Sequence, residues 1–179
     1  MASPATMTGA QFDALSYEDG RRWELIEGDL VTVSSPTLEH QLVVQRLLLA
    51  LMLYFGKRPG GMVAADVEFA LSDANRVRPD VLVLLGERAA TLDRSQVPIP
   101  GAPDIAVEVI SPSERTPESM RKVETYLRHG AGEVWQVFPT LRQVLVFTER
   151  EYRRLASSET LTTSLLPDFA LAISSLFEE

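Results

Sequence analysis

The sequence contains no cysteine and only two histidines, His40 and His129. The first absence excludes a disulfide framework and every thiolate metal site, and it fits a reducing compartment. The second leaves too few imidazoles for a histidine-based zinc centre. An excess of basic residues is also lacking. Seventeen lysines and arginines face 25 aspartates and glutamates, for a formal charge of −8. That balance argues against a surface that coats nucleic acid broadly, while leaving room for a small local basic patch. The N-terminal MASPATMTGA carries neither the basic nor the apolar region of a secretory signal. The most apolar stretch, 42-LVVQRLLLALMLYF-55, is interrupted by Gln45 and Arg46, and reads as a deeply buried core helix rather than a membrane span. These absences together lead us to expect a cytoplasmic protein with no membrane partner. There is no GxSxG, no GxxxxGK[ST] and no glycine-rich dinucleotide fingerprint, so the common hydrolase and nucleotide-binding signatures are missing.

What is present suits one globular domain. The chain has 179 residues, 45% of them hydrophobic, enough for a single core. We read residues 8–179 as that domain and residues 1–7 as a flexible N-terminus. Thr8 is placed to cap a short helix over 8–15. The segment 22-RWELIEGDLVTVS-34 predicts two strands around Glu27-Gly28-Asp29. Thr37 caps a long helix that Gly56 stops. The runs 62–71 and 77–85 predict a second hairpin around residues 72–76, and 86–102 predicts a loop with one helical turn. A strand over 104–110 is followed by a helix capped by Thr116 and ended by Gly130. Strands follow at 133–138 and 143–149, with two shorter ones near Tyr152 and Leu161. This order predicts an α/β (α+β) fold with one mixed central sheet flanked by helices.

Two carboxylates stand out. Glu108 lies inside 104-DIAVEVI-110, and Asp80 opens the apolar part of 77-VRPDVLVLL-85. Alternate strand residues share a face, so Glu108 lies with Ala106 and Ile110, and Asp80 with Leu82 and Leu84. A buried carboxylate costs several kcal/mol unless it is paired or bound to a cation. The alternatives are a solvated strand end for Asp80, a structural salt bridge for Glu108, or a shared divalent metal with hard oxygen ligands. On the following helix Met120, Val123, Tyr126 and Leu127 form the apolar stripe. Lys122 lies at its edge, able to reach back toward Glu108 or to remain a solvated lysine, and Arg121 points away. Glu24, beside Trp23 in the first strand, is either a further acidic site residue or an exposed strand residue.

The strings RWELIEGDLV, EHQ, VRPDVLVL, GAPDIAVEVISPS, KVETYLRHGAGEVWQVFP and LLPDFALAISSLF, in that order from about Phe12 to Phe177, resemble the Uma-two family. That family is restriction-endonuclease-like and lies within the PD-(D/E)XK nuclease superfamily. The resemblance implies a restriction-endonuclease-like core, with Asp80 as the aspartate of the PD element and Glu108 as the acidic residue of the second element. Ile110 stands where the superfamily lysine would follow. The resemblance moves that role to Lys122, and it makes Glu24 an early glutamate brought to the metal. Phe138-Pro139 departs from relatives that carry an aspartate before this proline.

The resulting expectation is an endonuclease that hydrolyses DNA phosphodiesters with Mg²⁺ or Mn²⁺ on Asp80, Glu108 and Glu24, and with Lys122 at the water or at developing charge. Arg76, Arg78, Arg115 and Arg121 flank these residues as a candidate phosphate-contacting rim. A homodimer would supply one site per strand. The contrasting expectation is a non-enzymatic structural or regulatory protein-interaction module on the same fold.

Overall fold

The computed structural model describes residues 6–15, 22–112 and 116–178. Local chemistry sets most element ends. The Thr8 side chain accepts from the Gln11 backbone, and the Gln11 side chain accepts from Thr8 N–H. This reciprocal cap starts α1 (Gly9–Asp13). Strands β1 (Arg22–Ile26) and β2 (Asp29–Val33) pair with Ile26 opposite Asp29. The two residues between, Glu27 and Gly28, both have positive φ, 53° and 83°. That is the primed turn whose twist matches the paired strands. Thr37 caps α2 (Leu38–Lys57) by accepting from His40 N–H. The helix runs through Gly56 instead of stopping there, and ends at Lys57.

The second hairpin differs from its sequence-based form. It comprises four strands, β3 (Gly61–Ala64), β4 (Phe69–Ser72), β5 (Asn75–Val77) and β6 (Val81–Leu85). Its tip is Asp73-Ala74, with Ser72 opposite Asn75. Halfway along, both legs bend out of one sheet and into another. Asp66 takes a left-handed φ of 57° on one leg, and Pro79, which lacks an N–H, interrupts the ladder on the other. The bend leaves β4 with β5, and β3 with β6, in different sheets.

The segment expected to be a loop holds α3 (Gly86–Thr91) and the two-residue β7 (Ile99–Pro100). Then come β8 (Ile105–Val109), α4 (Thr116–Arg128), β9 (Glu133–Phe138) and β10 (Gln143–Phe147). Gly130, at φ 99°, lets the chain turn out of α4, where Ala131 N–H returns to Tyr126 O. The expected Thr116 cap faces residues 113–115, which lie outside the described residues. Last are β11 (Tyr152–Ala156), β12 (Thr160–Thr163), β13 (Leu166–Ala172) and a 3-10 turn, Ile173–Leu176. Pro167 and Asp168 hid β13 from sequence reading; both are exposed there.

The fold is a mixed α/β arrangement, but its strands form three sheets among the described residues rather than one. The orders are β2-β1-β5-β4-β7, β11-β10-β9-β8-β6-β3 and β12-β13. Strands β8 and β9 are parallel, joined by α4. One face of the six-stranded sheet packs on α2, β13 and the final turn, through Val43, Leu47, Leu51, Trp135 and Phe169. The other packs on α4 and the five-stranded sheet, through Val123, Tyr126, Phe69 and Val77. Alternation along β6 and β8 divides the two cores: Val81, Val83, Ile105 and Val107 face the first, and Leu82, Leu84 and Ala106 the second. Helix α2 is not buried all round. Only Val43, Val44, Leu47 and Leu51 are fully covered, and Leu38, Leu49, Met52 and Leu53 face outward. Packing against one sheet covers one stripe, whatever the composition of the rest.

Candidate active site

The site lies at the seam where the two large sheets and both long helices meet. The β6–β8 register sets Val81 opposite Val107 and Leu82 opposite Ala106. Continued by one residue, it carries Asp80 to the side of Glu108. Asp80 is therefore at the mouth of β6, not within the strand, and its side chain keeps 26% of its exposure. Its Oδ2 caps β8 by accepting from Val109 N–H at 2.7 Å, and lies 3.1 Å from His40 Nε2. A carboxylate only accepts, so His40 is the donor through Nε2–H.

Glu108 lies within β8, on the face turned toward α4, and is buried. Its Oε2 accepts from Lys122 Nζ at 2.9 Å and its Oε1 from the Tyr126 hydroxyl at 2.9 Å. Lys122 and Tyr126 are four residues apart on α4, one above the other on the same face. Lys122 is buried as well, deeper than a stripe-edge position suggests. The same ammonium lies 2.9 Å from Glu24 Oε1. Glu24 is buried while its neighbour Trp23 is half-exposed, the reverse of an exposed-glutamate reading. Glu24 Oε1 also accepts from Arg78 N–H at 2.7 Å, the amide released when β5 gives way to Pro79. One bend in the hairpin thus frees the donor that holds Glu24 and aims Asp80 at Glu108.

Burial pushes the Glu108 carboxyl well above its ordinary range. The Lys122 ammonium pulls against this, and the charges of Asp80 and Glu24 add to the rise. Burial alone would lower Lys122, but Glu108 and Glu24 outweigh it and hold the ammonium protonated. Tyr126 is pushed up by burial and by Glu108, so it remains a neutral donor.

Glu24, Asp80, Glu108 and Lys122 form the floor of a cleft of about 420 Å³, walled by His40, Gln41 and Val44 of α2 and edged by Arg22, Arg78 and Ser111; Tyr126 lies behind them, outside the lining. The arginines differ from the expected rim. Arg76 is buried against Asp13 at 2.9 Å, beneath α1. Arg121 pairs with Glu27 and Asp29 at the β1–β2 turn. Arg115 lies outside the described residues. Arg78 does line the cleft, 3.1 Å from Glu68. So does Arg22, 2.8 Å from Asp66, which sequence reasoning did not single out.

Two further site residues were missed, and both had a legible signal. His40 heads the series 40, 44, 47 and 51, the buried stripe of α2, so a polar side chain stood in an apolar column. Tyr126 was read as part of the apolar stripe of α4, although it follows Lys122 by one helical turn.

Among the described residues no three histidine, aspartate or glutamate side chains are gathered as a ready metal cluster. The reason is local: Lys122 Nζ stands between Glu24 and Glu108. The donor set nevertheless suits a hard cation. Asp80 and Glu108 are hard oxygen donors that line the same cleft.

The mixed sheet with its parallel β8–α4–β9 unit carries Asp80 at the mouth of β6 and Glu108 within β8, an arrangement that suits a nuclease-like fold. The chain belongs to the Uma2 family, described as "Putative restriction endonuclease", whose model matches residues 10–174. It superposes with a TM-score of 0.84 on a crystal structure described as "a putative nuclease belonging to DUF820" from Anabaena variabilis. That match covers 96% of this chain and 97% of the other at 19% identity, a likeness of fold. No curated protein matches the sequence.

Proposed function

We propose that the cleft is the catalytic centre of a metal-dependent endonuclease acting on DNA phosphodiesters. The observation that carries this reading is the placement of Asp80 and Glu108 side by side at the cleft floor, with Lys122 Nζ 2.9 Å from Glu108. Asp80 and Glu108 would hold Mg²⁺ or Mn²⁺, with Glu24 behind them. The ion, when bound, supplies Lewis acidity toward a phosphate oxygen and lowers the pKa of its water. The chain's own residues do the rest. Val109 N–H and His40 hold Asp80 through its Oδ2. Tyr126 orients Glu108. Lys122 is held protonated by two carboxylates, so it supplies positive charge to the phosphoryl oxygens rather than serving as a base. Arg22 and Arg78 stand where a backbone phosphate would enter. A homodimer would bring a second cleft for the second strand.

One observation favours the other reading, a non-enzymatic interaction module. Arg22 and Arg78 are both ion-paired at the cleft edge, to Asp66 and Glu68, so a phosphate has to compete with carboxylates for them. Incubation of the purified protein with linear, supercoiled and single-stranded DNA, in Mg²⁺, Mn²⁺ or EDTA, decides between the two. Cleavage that needs the metal and is lost in both Asp80→Ala and Lys122→Ala supports the nuclease. No cleavage of any substrate in either metal, or cleavage that survives both substitutions, rejects it.

A further inference from the structure

The cleft carries little positive charge. Among the described residues three cations line it, Arg22, Arg78 and Lys122, against five carboxylates, Glu24, Asp66, Asp80, Glu108 and Glu118. The lining is therefore two charges negative, and with His40 protonated it would still be negative. Both rim arginines already face carboxylates: Arg22 lies 2.8 Å from Asp66, and Arg78 lies 3.1 Å from Glu68. The segments outside the described residues, 16–21 and 113–115, bring Arg21 and Arg115 but also Glu18, Asp19 and Glu114, so they add no net positive charge. A protein that grips duplex DNA neutralises about 6–10 phosphates with lysine and arginine. Two paired arginines, Lys122 and a divalent ion suffice for the phosphate being cut, not for a row of them.

The rest of the cleft is uncharged and largely aliphatic. In the β1–β2 register Arg22 stands opposite Val33, and Glu24 opposite Val31. Opposite residues of an antiparallel pair share a face, so the hairpin sets a charged pair on β1 beside an apolar pair on β2. Pro36 after β2 and Val44 of α2 line the cleft as well. Val33 is 37% exposed, so part of this apolar surface is open to a ligand. An intact duplex turns its phosphates outward and keeps its bases stacked inside, and it would lay charge against that wall. An unpaired nucleotide carries its charge at one end and a flat, uncharged base at the other, which matches the two parts of the cleft. The size agrees: a volume of about 420 Å³ falls within the roughly 300–1,000 Å³ of sites that enclose a small molecule. No aromatic ring lines the cleft among the described residues. The wall therefore shields a base from water without the stacking that gives single-strand binding proteins their affinity.

We infer that the cleft admits an unpaired DNA nucleotide, from a single strand or from an opened stretch of duplex, with its phosphate on the floor and its base against Val31 and Val33. The inference rests on the nuclease reading of the same floor and names the form of DNA that reaches it. Intact duplex is then a poor substrate until it opens.

Metal-dependent cleavage is compared for a single-stranded oligonucleotide, the same strand annealed to its complement, and that duplex with a central unpaired stretch. A fourth substrate is the single strand with a tetrahydrofuran unit in place of one nucleoside, and bis-p-nitrophenyl phosphate is a phosphodiester without a strand. The single strand is expected to exceed the duplex in kcat/KM by about tenfold or more, and cutting beside the baseless unit to slow by about tenfold. Cuts in the opened duplex are expected within its unpaired stretch. Binding of the labelled single strand is read separately, by fluorescence polarisation in Ca²⁺. Its logarithm is expected to fall against the logarithm of salt with a slope between about −0.7 and −1.4, as for one or two phosphate contacts on a single strand. A duplex cut as fast as the single strand, undiminished cutting beside the baseless unit, or a slope steeper than about −3 overturns the inference and leaves the nuclease reading in place. Hydrolysis of bis-p-nitrophenyl phosphate with no DNA form cut also overturns it and assigns the floor a smaller phosphodiester. No hydrolysis of any substrate rejects the nuclease reading itself, and the inference falls with it.

Discussion

Tyr126 donates its hydroxyl to Glu108 Oε1 at 2.9 Å from one turn beyond Lys122, which takes the other oxygen. Both oxygens of a buried carboxylate are thus held by one face of one helix. The acidic group is oriented before any ligand arrives, and α4 is tied to β8 by polar contacts as well as by packing.

The tyrosine provides the cleanest test of that clamp. Tyr126→Phe keeps the ring and removes only the donor, leaving a buried carboxyl oxygen unsatisfied. The expected loss of stability is about 1–3 kcal/mol, read from urea denaturation. A midpoint equal to the wild type would show that the bond contributes nothing.

Lys122 separates two buried carboxylates, so its removal is expected to cost more. Lys122→Met leaves Glu24 and Glu108 facing each other without a cation, for a loss of about 3–5 kcal/mol at neutral pH. Adding Glu108→Gln removes one of the stranded charges, and the double variant is expected to be more stable than Lys122→Met alone. Additive losses in the double-mutant cycle would contradict the pairing.

The pH dependence of Glu108 has a defined sign. Its carboxyl is raised in the folded state above the ordinary 4.5, first by burial. A raised acid favours folding while it is protonated, so its contribution is fully present below about pH 4.5 and is lost as pH rises toward the folded value. The wild type minus Glu108→Gln stability difference is therefore expected to be most favourable to the wild type near pH 4 and to shrink upward. A difference that grows with pH would mean that the Lys122 charge outweighs burial.

Metal binding at the floor is checked by calorimetric titration with Mg²⁺ and Mn²⁺. Asp80→Ala is expected to abolish the heat. His40→Ala, which removes the donor 3.1 Å from Asp80 Oδ2, is expected to weaken binding by about 10–100-fold. Equal isotherms for wild type and Asp80→Ala would remove the site.

Much of this protein was readable along the chain. The Thr8 and Thr37 caps, the Glu27-Gly28 turn and the Gly130 stop are local chemistry. Each depends on residues within a turn of one another, so sequence alone determined them. The apolar run around Glu108 and the stripe around Lys122 likewise marked which faces are buried, because period-2 and period-3.6 patterns report faces directly. Those patterns do not report what covers a face. Only tertiary structure decided that the 62–85 hairpin bends at Asp66 and Pro79 and divides between two sheets, since both legs look like continuous strands until a partner is chosen. The bend in turn places Asp80 beside Glu108 and frees the Arg78 amide for Glu24. It was also packing, not composition, that left one side of α2 in the open, because a helix lying on one sheet buries one stripe however apolar its other side is. His40 entered the site for the same reason: it lies on the covered stripe.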